Sequence, residues 1–174
     1  MEKDIRINEH TFIGCPESTS MGDHIAIDWG FYCTTPLELK DWIHIGPYCT
    51  IIGGKTSKCT IGNFVGIAAG CRIICASDDY SGEGIVIPFV PTQYRKFTVA
   101  PVVVEDYVTL GTNVIVMPGV TLAEGTAVGA GAIITRSTEP WGFYFGSPAR
   151  KMKTRSKKLL EYAKEMGYGA KYPD

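Results

Sequence analysis

Residues 104–134 read VEDYVTLGTNVIVMPGVTLAEGTAVGAGAII, and a large apolar residue returns at every sixth position, as Val104, Leu110, Val116, Leu122, Val128 and Ile134. Two places before each return stands a small or β-branched residue: Val108, Val114, Val120, Thr126 and Ala132. This period matches neither the roughly 3.6 of a helix nor the roughly 2 of a strand. A six-residue unit cannot bury its apolar side chain alone. Three such units close one triangular turn of a β-solenoid, whose turns stack as parallel strands around a continuous core.

Followed backwards with insertions allowed, the register continues through Ile7, Ile13, Met21, Ile27, Cys33, Leu39, Ile45, Ile51, Ile61, Ile67, Ile73 and Thr98. Thr98 is the one polar residue among the eighteen. Insertions follow the second, eighth and eleventh units, near Thr19, at 57–60 and at 79–97. Those ordinals leave the same remainder on division by three, which predicts that all three insertions leave one corner of the prism. The expected architecture is all-β: a parallel β-helix of about six coils over 1–138, with a protruding loop at 79–97, then an extension over 139–174. In that extension RSKKLLEYAKEMGYG predicts an amphipathic helix using Leu159, Leu160, Tyr162, Ala163 and Met166, stopped at Gly167 and packed on the last coil.

The 174 residues are 45% hydrophobic with a formal charge of −1, a composition for one folded domain with a sizeable core. No stretch approaches the roughly 18 consecutive apolar residues of a membrane span, and the charged start MEKDIRINEHTFIG is unlike a signal peptide, so a cytoplasmic location is expected. The six cysteines form no CxxC pair and read as reduced core residues. Residues 136–174 carry a net +5 against −6 for the rest, a basic end suited to a polyanion, either nucleic acid or a small phosphorylated molecule.

The hexapeptides, together with VGAGAIITR and the following GSPARKMK, resemble the left-handed β-helix acetyltransferases, particularly the galactoside, maltose and xenobiotic branch. The resemblance covers roughly residues 40–155 and implies a left-handed coil, a homotrimer, and acetyl-CoA held between neighbouring prisms. The general rule for parallel crossovers would give the opposite hand. Coenzyme contacts carried over by motif fall on Thr112, Ala130, Thr135, Arg136, Arg150 and Lys153. The three cations suit the phosphates of coenzyme A, and the small residues would let backbone amides reach its pantetheine arm, which accounts for the basic end without nucleic acid.

The resemblance fails where the galactoside branch carries its general-base histidine: the count through ICASD puts Asp78 there. A hydroxyl acceptor needs a base with a pKa near about 7, and an ordinary aspartate, near about 4, is poorly matched. Crowding of Asp78 with Asp79 and Glu38 could raise it, His44 from a neighbouring subunit is a second candidate base, and an amine acceptor needs only a weak proton acceptor. Tyr80, Glu83 and Tyr94 of the long loop are candidate acceptor contacts, and the loop is long enough to reach an adjacent subunit.

The expected function is acetyl transfer from acetyl-CoA to a sugar hydroxyl, in assembly of a surface polysaccharide. The alternatives are N-acetylation of a nucleotide-linked amino sugar and a non-catalytic assembly subunit. Partners are a small-molecule sugar or sugar nucleotide, with no nucleic acid and no membrane insertion. The spacing of His10, His24 and His44 argues against a histidine-bound zinc, so no metal is expected.

Overall fold

The computed structural model describes residues 3–168; residues 169–174 of the expected C-terminal extension lie outside them. The chain winds as a left-handed β-helix with three faces. The first face stacks Ile5–Ile7, Ile25–Ile27, Ile43–Ile45, Val65–Ile67, Thr109–Leu110, Ala127–Val128 and Gly142–Gly146 in parallel. The second runs from Phe12–Ile13 through Tyr32–Cys33, Thr50–Ile52, Arg72–Ile74 and Ile115–Val116 to Ile133–Ile134. The third holds Ser20–Met21, Leu37–Leu39, Cys59–Ile61, Val102–Val104 and Thr121–Leu122. Among the described residues, seven passes along the first face make six complete turns.

The inward columns follow the six-residue register. On the second face Ile13, Cys33, Ile51, Ile73, Val116 and Ile134 stand in successive pairings, and the last five are buried. Burying each isoleucine contributes about 1.5–3 kcal/mol. The exception is Thr98. It lies on Phe97–Val99, which pairs antiparallel with Ala76–Asp78 as the stem of a two-stranded arm outside the prism. The chain re-enters the coil at Val102–Val104, which pairs with Cys59–Ile61. Thr98 is thus not a unit of the coil, in keeping with its being the one polar residue of the register. All six cysteines are free and buried, as read from their setting.

All three insertions leave the corner between the second and third faces, as the remainders require: the turn Pro16–Ser18, residues 53–58, and the arm. The corner between the third and first faces carries a ladder that the period does not announce. His24, Trp42, Phe64, Tyr107 and Trp141 all have positive φ, between 55° and 62°. Their rings stack, His24 on Trp42 at 4.0 Å, Trp42 on Phe64 at 5.9 Å and Phe64 on Tyr107 at 5.3 Å. Left-handed backbone costs about 1–2 kcal/mol per residue. Stacking offsets that strain, as do hydrogen bonds such as Trp42 N–H to Asp23 O and Phe64 N–H to Asp41 O. Gly125 continues the ladder, and Trp141 lies against it so closely that a Cβ there would fall 2.4 Å from the indole.

The helix, Leu159–Glu165, packs on this ladder, along the flank of the prism, and does not cover the end of the last coil. Ala163 is buried against Tyr107 and Trp141, with Phe64, Leu159 and Leu160 around it, while Tyr162 and Met166 stay 51% exposed. The reason is that the terminal strand edge is already paired: Gly142–Gly146 turns back on Ala149–Thr154. The apolar surface left for an amphipathic helix is the aromatic corner.

Candidate active site

The arm and the basic end share one corner. Below the arm root the chain passes the corner between second and third faces at 117–120 and again at 135–138, two coils on, which at strand spacing is about 10 Å. There a cleft of about 270 Å³ is lined by Thr135, Arg136, Ser137, Glu139, Tyr144, Arg150 and Lys151, among others. Three of the six expected coenzyme residues, Thr135, Arg136 and Arg150, therefore meet. Arg136 makes no ion pair among the described residues, and Lys151, which the motif reading passed over, is held by Glu139 at 2.5 Å. Exposed guanidinium groups beside hydroxyls are a donor set that fits phosphate oxygens.

Thr112 and Ala130 stack on another corner, between the first and second faces, where Gly131 N–H donates to Thr112 O at 2.8 Å. A Cβ at Gly111 would stand 2.6 Å from Ala130 N, so the two coils touch backbone to backbone there. Lys153 points elsewhere again: it lies 5.7 Å over the Phe143 ring, its strand partner. Arg155, unremarked in the sequence, is half-buried and ties the extension to the prism. It donates to Tyr107 O at 2.8 Å, Gly125 O at 3.1 Å and Thr109 Oγ1 at 3.2 Å.

At the arm root Asp78 ends the strand Ala76–Asp78, with Arg95 Nη2 3.8 Å from its Oδ1. Asp79 is turned inward on the loop. The Ser81 hydroxyl donates to it at 2.6 Å and the Glu83 amide at 3.1 Å, and these hydrogen bonds, Ser81 first, hold its carboxyl below the usual range. The crowding expected of Asp79 concerns Asp78; Asp79 itself is engaged by hydrogen bonds within the loop. Glu38, the other carboxylate of that expectation, is itself ion-paired. Lys40 and Lys58, each 2.6 Å away, neutralise it and pull its pKa down to about 2.

His44 stands on the first face, which is opposite the corner that bears the arm, and its Nε2 is 2.9 Å from Asp28 Oδ2. Within one chain it and Asp78 do not meet. His10 lies near Trp29 and His24 on the aromatic corner, so no histidine sits at the arm root. Of the candidate acceptor contacts, Glu83 is paired with Lys96, Tyr80 OH accepts a hydrogen bond from Ser77 Oγ at 2.9 Å, and Tyr94 is 58% exposed. No helix among the described residues is long and apolar enough to cross a membrane.

No protein-family model matches the chain. A curated relative, dTDP-4-amino-4,6-dideoxy-D-glucose acyltransferase of Escherichia coli, is 33% identical over 156 residues, covering 87% of this chain and 79% of its own length. Among solved structures, AntD, an N-acyltransferase from Bacillus cereus in complex with dTDP and 3-hydroxybutyryl-CoA, superposes with a TM-score of 0.92 at 28% identity, over 98% of this chain and 90% of that one. A variant of AntD in complex with dTDP-4-amino-4,6-dideoxyglucose and coenzyme A gives a TM-score of 0.91 at 29% identity, over 94% and 87%. The six-residue coil, the cationic cleft at its end and these likenesses together show that the chain belongs to the hexapeptide-repeat acyltransferases of left-handed β-helix fold.

Proposed function

We propose that the protein transfers an acyl group, acetyl in the first instance, from coenzyme A to the amine of a nucleotide-linked amino sugar of the dTDP-4-amino-4,6-dideoxyglucose type. The observation that carries this reading is the arm root: Asp78 stands there and no histidine does. The hydroxyl acceptor first expected gives way to the amine for a chemical reason. A hydroxyl must lose its proton as it attacks, whereas an uncharged amine attacks unaided and becomes acidic only after bonding.

In the proposed step the amine nitrogen bonds to the thioester carbonyl carbon. The nitrogen's proton passes to Asp78, and the carbon–sulfur bond breaks to release the coenzyme thiolate, which the proton finally neutralises. Arg136 and Arg150 would hold the coenzyme phosphates in the cleft two coils away, a distance the pantetheine arm spans, with the thioester at the arm root. Thr135 would add a hydroxyl donor, while Thr112, Ala130 and Lys153 would serve only if the coenzyme of one copy tracks along a neighbour's corner. The same assembly, a homotrimer, would cover the apolar arm, where Ile85, Val86 and Ile87 are about half exposed and Phe89 is 98% exposed. Tyr80, Glu83 and Tyr94 travel with that arm, and His44 of a neighbour could face it.

The test incubates purified protein with acetyl-CoA and dTDP-4-amino-4,6-dideoxyglucose, following thiol release and the mass of the product. Amide formation with no acylation of the 4-hydroxy analogue is expected, with turnover falling about 10²-fold or more in Asp78→Asn. Equal acylation of the hydroxy analogue would overturn the reading.

A further inference from the structure

Arg95 follows the short turn Thr92–Tyr94 and leads into the arm strand Phe97–Val99. Its guanidinium carbon lies 5.4 Å from the centroid of the Phe97 ring, and Phe97 is the strand partner of Asp78. Strand pairing thus brings cation, ring and carboxylate to one place at the arm root. Nη2 is 3.8 Å from Asp78 Oδ1, close enough to attract and too far to hydrogen-bond. Nε, on the same edge of the guanidinium, is buried with no hydrogen-bond partner. A buried N–H without an acceptor is unfavourable, and solvent is shut out from this one. Asp79 is occupied by Ser81 and the Glu83 amide, and Glu83 by Lys96, so of the carboxylates on the arm Asp78 is the one that stands beside this guanidinium.

We propose that Arg95 is a positioning residue: it closes on Asp78 as a two-pronged fork when acceptor binds, leaving one carboxylate oxygen directed at the nucleophile and selecting amines over hydroxyls. The inference rests on the N-acylation reading above. A fork of parallel N–H bonds fixes a carboxylate in plane and direction, which a single ammonium cannot do. A carboxylate gripped in this way is a weak base. It suffices for the proton of an N-protonated adduct and not for that of a hydroxyl.

The test uses the full chain with acetyl-CoA and dTDP-4-amino-4,6-dideoxyglucose, comparing Arg95→Gln, Arg95→Lys, Asp78→Asn and the double variant Asp78→Asn/Arg95→Gln. Arg95→Gln is expected to lower kcat about 10²-fold, as misdirection of a reacting group does, with calorimetric affinities for dTDP and coenzyme A kept within about twofold. Arg95→Lys should recover part of kcat, and it carries the test if the glutamine variant melts early. The double variant should be no slower than Asp78→Asn alone, because groups that act as a unit are not additive. A kcat unchanged in both Arg95 variants, a loss confined to dTDP affinity, or additive losses would overturn the assignment. If the wild type acylates the amine and Arg95→Gln does so equally well, Arg95 alone is refuted. If the wild type acylates only the hydroxy analogue, the parent reading falls and this one with it.

Discussion

Arg155→Ala removes the clamp between the C-terminal extension and the coil. The side chain donates three hydrogen bonds, two of them to carbonyls of the aromatic corner, Tyr107 O and Gly125 O. Charge-assisted bonds contribute about 1.5–3 kcal/mol each in a buried setting. Two effects reduce the total. The site is half-buried, so water takes over part of the bonding, and burial itself opposes the charge, pulling the guanidinium pKa below its ordinary value. A net loss of about 2–3 kcal/mol remains, which for a chain of this size lowers Tm by about 5–10 °C. The helix Leu159–Glu165 follows directly, so its amides should exchange with solvent faster than those of the central coils. Thermal melting by circular dichroism with hydrogen exchange by mass spectrometry reads both. Melting within about 1 °C of the wild type, with unchanged exchange in the helix, would refute the clamp.

Saturating coenzyme A, at about a hundred times its Kd, should stabilise the protein by about 2.7 kcal/mol. Arg136→Ala and Arg150→Ala should each weaken calorimetric affinity about tenfold at low salt and less at high salt; an unchanged affinity would remove the cleft from the binding site. Glu38, with its folded pKa depressed to about 2, stabilises the protein above the ordinary carboxylate value near about 4.3 and ceases to as pH falls through about 2. The stability gap between wild type and Glu38→Gln in urea titrations should therefore be constant at neutral pH and close toward pH 2; a gap that persists there would count against the Lys40–Glu38–Lys58 triad. The six thiols should resist a thiol reagent in the native protein and react together on unfolding, since burial raises Cys33 to about 11 and leaves all six enclosed. Rapid native labelling of any of them would contradict the packing.

The six-residue return of Val104, Leu110, Val116, Leu122, Val128 and Ile134 determined the coil, because each such residue can be buried only by the turn above and the turn below. The same arithmetic placed the arm on the corner between second and third faces and kept the cysteines inside. It misplaced Thr98, because a short antiparallel strand beside an insertion imitates one more unit when only spacing is read. The pairs Asp23-His24, Asp41-Trp42, Asn63-Phe64 and Asp106-Tyr107 were a visible sign of the aromatic corner. Their meaning depends on residues 18 to 43 places apart lying one above another, which local spacing does not reveal.

Motif matching found Arg136 and Arg150, and the fold alone brought them into one cleft with Lys151 and Tyr144 on the corner that also bears Asp78. The helix was legible as amphipathic. Its seat was not, since an apolar stripe specifies that it must be covered and leaves open by what. Nor could the sequence set the character of the arm carboxylates. Asp78 and Asp79 are neighbours in the chain, yet hydrogen bonds from Ser81 and the Glu83 amide hold one, and the return strand sets Arg95 beside the other. A carboxylate's chemistry is decided by the dipoles and charges within a few ångströms of it, and folding, not adjacency, chooses those.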